Sequence, residues 1–183
     1  MRNTLLVLAL VLVLGAFNWS ALQKEPLLTG GTVMYLQLAP VDPRAFLLGD
    51  YMDLAFRIDN EATGALQAAA RNSERPGETD GALRSRLPRD GLIVVRLSNE
   101  RVASFVRLDD GGPLAENEHR LYFRLKNGTA ETAARSFFFQ EGHAADYEAA
   151  EYGEIHVDAD GRNLLTHLLD KNLQRIIPGK TDN

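Results

Sequence analysis

The sequence predicts a mainly β domain, a β-rich α+β unit arranged as an antiparallel sandwich or barrel with two short helices, carried behind one transmembrane helix. Three observations predict it. Residues 3–23 hold no charged side chain, a run of 21 positions. Beyond them, seven or eight short stretches rich in β-branched and aromatic residues recur between turn-forming clusters. Only two stretches have helical character, and they are short. At 183 residues the chain has room for one such domain and little more.

The uncharged run comes first. At about 1.5 Å per residue, a helix of that length reaches roughly 30 Å, the thickness of bilayer hydrocarbon. Residues 5–14 are Leu, Val and Ala throughout, and Asn18, Trp19 and Ser20 close the run with a residue that favours the membrane interface. A cleaved signal peptide is the competing reading, and it requires small residues at both −1 and −3. The pairs Gly15/Phe17, Ala16/Asn18, Asn18/Ser20 and Trp19/Ala21 each contain a misfit. The expected organisation is therefore a cytoplasmic N-terminus at residues 1–3, an anchor at 4–22 in contact with the lipid bilayer, and a tether at 23–31. A β-rich domain follows at 32–177, with a flexible tail at 178–183. Arg2 and the terminal amine favour the inner side, which sends the domain across the membrane. In a bacterium this means the inner membrane, with the domain in the periplasm.

Composition removes several functions. The chain has no cysteine, so it has no disulfide framework, no Cys nucleophile, no Cys-bound metal and no site for N-terminal lipidation. It carries 20 Lys+Arg and 25 Asp+Glu. Setting Arg2 aside leaves 19 basic residues against the same 25 acidic ones, a net charge of −6 on the exported part. Such a domain lacks the positive field that a phosphate backbone requires, and no nucleic-acid partner is expected.

Along the domain, residues 32–38 (TVMYLQL) read as a strand. Residues 39–49 contain two prolines that keep their predecessors out of helix, so this is a structured connection. Residues 51–58 alternate cleanly, with Met52, Leu54, Phe56 and Ile58 on one face and Tyr51, Asp53, Ala55 and Arg57 on the other, which predicts a strand buried on one side. Residues 60–70 are the first helix, weakened by Gly64, and 71–90 form a long polar loop. Residues 92–97 and 101–108 make a hairpin, and 119–126 alternate again with Leu121, Phe123 and Leu125 inward. The run 135–140, with Phe137, Phe138 and Phe139, predicts a strand buried on both faces. Alanine-rich 141–152 predicts the second helix. Residues 154–157 and 162–169 flank a turn at Asp158-Ala-Asp-Gly161, whose centre pairs His156 with Leu165.

Chemistry-bearing patterns are sparse. His119, His143, His156 and His167 show no helical ligand spacing and read as scattered surface or half-buried imidazoles, so no metal is expected. The Asp158–Gly161 segment has too few acids for a calcium loop. The stretch from Pro43 to Asp50 is similar to a segment that follows the catalytic serine of membrane-anchored signal peptidases. Here no serine lies between Ser20 and Ser73. Phosphate loops and dinucleotide fingerprints are absent, and no cofactor is expected.

One segment remains, Pro40-Val-Asp-Pro-Arg44 followed by Gly49-Asp50-Tyr51-Met-Asp-Leu54-Ala-Phe56. Gly49 suits a tight turn and Asp50 can accept backbone N–H groups where the alternating strand begins. Asp42, Arg44, Gly49, Asp50, Tyr51 and Asp53 are the candidate residues, read either as a turn braced by an Asp–Arg pair or as a binding site. This segment resembles the GDYXXLXY family of membrane-anchored bacterial proteins, with Phe56 in place of the final Tyr. Tyr152-Gly-Glu-Ile-His-Val-Asp-Ala-Asp-Gly161 is similar to that family's closing hairpin. The resemblance implies the same anchored topology but no activity, because the family has no established biochemical function. Its members occur beside or fused to multi-pass membrane proteins, which implies an accessory, non-enzymatic role in a membrane complex. The alternative is a small-ligand-binding or hydrolytic envelope enzyme using the Asp-Pro-Arg and Gly-Asp-Tyr residues.

Overall fold

The computed structural model describes residues 12–15, 30–39, 51–72 and 87–179. Most of the expected anchor and tether, Asp42, Arg44, Gly49 and Asp50, most of the polar loop, and residues 180–183 of the tail lie outside the described residues. Residues 12–15 form a turn of helix. Among the described residues no helix is long and apolar enough to cross a membrane.

The β-rich expectation holds, and the described residues form three antiparallel sheets. One has the order β1-β8-β9, with β1 at Thr32–Gln37, β8 at Tyr152–Val157 and β9 at Asn163–Leu169. A second has the order β4-β3-β5-β6, with β3 at Asp90–Leu97, β4 at Ala103–Leu108, β5 at Glu118–Lys126 and β6 at Thr129–Glu131. The third is a ribbon of β2, Tyr51–Asp53, and β7, Ser136–Phe138. The two larger sheets meet where Tyr35 bridges Val102 in parallel and where the Tyr122 N–H donates to the Gly161 carbonyl at 2.8 Å. These seams curve them into a half-barrel around one core.

Helix α1, Arg57–Asn72, packs against β1, β4 and β6. Its apolar residues Ile58, Ala62 and Leu66 recur every four positions and are buried. Asp59 in the first turn and Arg71 in the last suit the helix dipole. Gly64 faces open space, so it costs the helix only intrinsic propensity. The core joins Met34 and Leu36 of β1, Leu54 and Phe56, Ile93 and Val95 of β3, Leu121 and Phe123 of β5, Ile155 of β8 and Leu168 of β9.

Four sequence expectations are corrected. The alternating run from Tyr51 does not remain a strand to Ile58. It leaves the ribbon at Asp53, bridges Leu38 through Phe56, and turns into α1 at Arg57. Ile58 stays buried because its inward position is shared by both geometries. The second helix is a single 3-10 turn, Ala144–Tyr147, since Gly142 has φ of 86° and breaks a continuous right-handed run. The triple phenylalanine is not buried on both faces, because Phe138 is 75% exposed. Finally, the turn pairs His156 with Leu164 rather than Leu165, and a bulge between Glu154 and Ile155 then shifts the register back by one residue, leaving His167 opposite Glu154. A short strand, β6, pairs with β5 through a tight hairpin at Asn127–Gly128, whose φ values are 53° and 83°.

Candidate functional site

The segment that carries the resemblance splits into two physical parts. Leu54 and Phe56 are fully buried, while Tyr51 stands half-buried on the outer face of the β2–β7 ribbon. In the ribbon register Tyr51 pairs with Phe138, Met52 with Phe137 and Asp53 with Ser136. Alternation therefore places Tyr51, Asp53, Ser136 and Phe138 on one face. The Tyr51 and Phe138 rings lie 5.7 Å apart at a 40° tilt. On the opposite face Phe137 meets Tyr147 edge-on and Phe139 stacks on it, each at 5.3 Å. Tyr147, nearly fully buried, pins the ribbon to the 3-10 turn. Burial and the neighbouring Asp146 carboxylate raise its phenol above the ordinary range.

Among the described residues Asp53 has one cationic neighbour, Arg135, at 3.8 Å. That guanidinium is shared, reaching Glu131 at 3.5 Å and donating from Nε to the Leu54 carbonyl at 3.2 Å. Tyr51 and Asp53 are thus together on a surface, beside Arg135 rather than beside a described cleft. The other four candidates, Asp42, Arg44, Gly49 and Asp50, lie outside the described residues.

Phe56 points inward against Gly153. A Cβ added at Gly153 would stand 2.9 Å from the Phe56 ring and 2.9 Å from Leu165. The two halves of the sequence resemblance are therefore in contact through a ring seated on a glycine. Gly153→Ala is expected to lower stability by about 1–3 kcal/mol through overpacking. Denaturant unfolding of the single and double variants checks it, because Phe56→Leu in the same chain should recover part of the loss.

A second cluster was not foreseen. Glu154 is 1% exposed, on the outward face of β8, and Arg175 clamps it with Nε–Oε2 at 2.9 Å and Nη2–Oε1 at 2.7 Å. His156 Nε2 lies 3.3 Å from the same Oε1, Thr166 Oγ1 lies 3.3 Å away, and His167 Nδ1 lies 3.5 Å away without hydrogen-bond alignment. Burial pushes the Glu154 carboxyl up, but Arg175 and His156 outweigh it and hold the group below its ordinary value. Two of the four imidazoles, His156 and His167, are gathered around Glu154 in the hairpin, while His119 and His143 lie apart from it. Sequence held one usable signal, a Glu two residues before His156 with His167 across the turn.

The Arg175 clamp belongs to a C-terminal strap. The Asp170 carboxylate accepts the N–H groups of Asn172 and Gln174, turning the chain back along β9, where the Ile176 N–H donates to the Leu168 carbonyl at 2.9 Å. Farther on, the Gly179 N–H donates to Asp146 at 3.0 Å, and Asp146 also pairs with His143 at 2.7 Å. The strap covers an edge strand that would otherwise be open to pairing.

Two more buried carboxylates are matched in the same way. Glu118 is held by Arg107 at 2.9 Å, the Ala115 N–H at 3.3 Å and Arg96 at 3.0 Å, which pulls it down to about 2. Asp59 of α1 accepts both the hydroxyl and the N–H of Thr132, at 2.6 and 2.9 Å. Its burial wins over those bonds and pushes it up to about 6. These groups fasten elements to one another and leave little unsatisfied capacity for acid–base work. A hollow of about 270 Å³ lies where β1 begins, lined by Thr32, His119, Arg120 and Asp158. Its Arg120 is already committed to Asp109 and the Gly112 carbonyl, each at 2.9 Å. Among the described residues no group of three ligating side chains could hold a metal ion.

The family model described as GDYXXLXY protein matches residues 13–168, which spans both the Tyr51 ribbon and the Glu154 hairpin. The chain belongs to the GDYXXLXY family. No curated protein and no solved structure matches it. In this GDYXXLXY protein the last aromatic of the motif is Phe56, and the site it occupies is sealed by Gly153 and Leu165. The leucine and the final aromatic of the motif are core residues. The motif tyrosine, Tyr51, is displayed.

Proposed function

We propose that this protein is a membrane-anchored envelope domain that acts without catalysis, as an accessory or interaction subunit of a membrane complex. In this reading residues 4–22 cross the bacterial inner membrane once, the N-terminus is cytoplasmic and the domain is periplasmic. The 21-residue uncharged run supports the anchor. So do the exposed apolar side chains of Leu12, Val13 and Leu14, which need a non-aqueous surrounding. The observation that carries the interaction role is the display of Tyr51 against a phenylalanine that is 75% exposed. Core economy does not require that pair on the surface, whereas contact surfaces favour aromatic anchors.

Purification of the tagged full chain from native membranes in mild detergent tests the reading. A multi-pass membrane protein is expected to co-purify, and protease added outside spheroplasts is expected to degrade the domain. Recovery of the chain alone in several detergents would count against the partner, and protection from protease against the topology.

A further inference from the structure

We propose that the outer edge of β7 is a docking edge for an extended, basic segment of a partner protein, with Tyr51 and Phe138 as its apolar anchor. The inference rests on the interaction reading above and specifies its surface.

The backbone geometry selects the edge. The Leu54 N–H donates to the Arg135 carbonyl, so that pair is hydrogen-bonded across the ribbon, and so is Met52 with Phe137 two positions away. The main-chain groups of Ser136 and Phe138 therefore face away from β2. Among the described residues no chain pairs with them. On the other side of β2 the Ala55 carbonyl is taken by the Ala39 N–H at 2.7 Å, whereas among the described residues the outward groups of Ser136 and Phe138 on β7 have no such partner. An added strand would place alternate side chains against Tyr51 and Phe138.

Charge selects the partner's chemistry. Residues 136–151 contain Glu141, Asp146, Glu148 and Glu151 and no Lys or Arg. Glu141 and Glu148 are exposed, as is Asp53 on the ribbon face. Arg135, the cation beside Asp53 among the described residues, is shared among Asp53, Glu131 and the Leu54 carbonyl. A segment carrying Lys or Arg beside an apolar residue is complementary to this surface.

Charge also argues against an anionic lipid surface as the occupant, since the exposed Asp53, Glu141 and Glu148 would repel it.

A photo-crosslinking residue at position 138 of the full chain, in native membranes, tests this, with the same residue at the remote Asn127 as control. The expected result is a crosslink from position 138, absent from the control, that maps to an extramembrane segment with excess Lys and Arg. Phe138→Ser and Ser136→Pro, the latter deleting an outward N–H, should each cut recovery of that partner at least tenfold with little change in Tm. If Ser136→Pro fails to fold, Phe138→Ser and the double charge reversal Glu141→Lys/Glu148→Lys carry the test. Crosslinks to lipid or to a second copy, or undiminished partner recovery in these variants, overturn the proposed edge while leaving the interaction reading intact. Absence of any co-purifying protein in the wild type overturns both.

Discussion

Arg175→Ala is expected to destabilise the domain by about 2–4 kcal/mol at pH 7.5. The variant leaves Glu154, only 1% exposed, without its bidentate partner. Removing one member of a buried pair is costly because the remaining charge stays desolvated. The lower part of the range is favoured, since Arg175 itself is 52% exposed and its own charge is partly screened by water. The pH dependence gives a sharper check. Glu154 is held below its ordinary value of 4.5, so its contribution is present above that pH and is lost as acid protonates the folded carboxyl. In Arg175→Ala the burial that opposes ionisation is no longer outweighed by the clamp, and the folded carboxyl protonates more readily. The stability difference between wild type and variant should therefore shrink from pH 7.5 to pH 4. Urea unfolding at both pH values measures it. A difference that stays constant would mean that Arg175 contributes independently of the Glu154 charge, and no difference at all that the strap holds by backbone pairing alone.

Asp59→Asn is expected to act in the opposite direction, stabilising the protein at pH 7.5. Asp59 is pushed up from 3.8 to about 6 by burial, so the folded state binds its proton more tightly than the unfolded chain. Its contribution is full below pH 3.8 and disappears as pH rises through about 6. The shift corresponds to roughly 3 kcal/mol as an upper figure. Asn keeps an oxygen for the two Thr132 donors without the charge, so the wild type minus variant difference should vary over that window and level off above it. Asp59→Ala removes the same titration but also leaves the buried Thr132 N–H without an acceptor, so it should lie about 1–3 kcal/mol below Asp59→Asn at every pH. The contrast between the two variants separates the charge from the hydrogen bonds.

Both predictions concern residues outside the motif. Glu154 and His156 were visible as part of a closing hairpin, but the register read from the turn paired His156 with Leu165. The turn is one residue tighter, pairing His156 with Leu164, and the bulge after Glu154 shifts the register back by one residue on β9, so that His167 still stands opposite Glu154. A bulge depends on how β8 fits between β1 and β9, which local sequence does not encode. Asp59 was hidden for a related reason. Its acceptors are used by Thr132, 73 positions away, and only the packing of α1 against β6 brings them together.

The ribbon shows the same division at a finer scale. Alternation along Tyr51, Met52 and Asp53 gave the right faces, since period-two geometry is local. Three consecutive phenylalanines carry no such alternation. Phe137 and Phe139 are partly buried against Tyr147 of the 3-10 turn while Phe138 is exposed, a choice that rests on where that turn places Tyr147. With that helix shortened to one turn, nothing described covers the outer face.

The sequence by itself determined the family, the β-rich class, most strand positions and the inward places of Leu54, Phe56, Leu121 and Phe123, because hydrophobic spacing and turn residues act over a few positions. Tertiary structure alone decided that the sheets curve into a half-barrel, that Arg175 returns to clamp Glu154, and that Tyr51 meets Phe138 on a surface. Those outcomes are long-range. Each depends on desolvation and pairing between residues far apart in the chain, and such energies exist only once the core has closed.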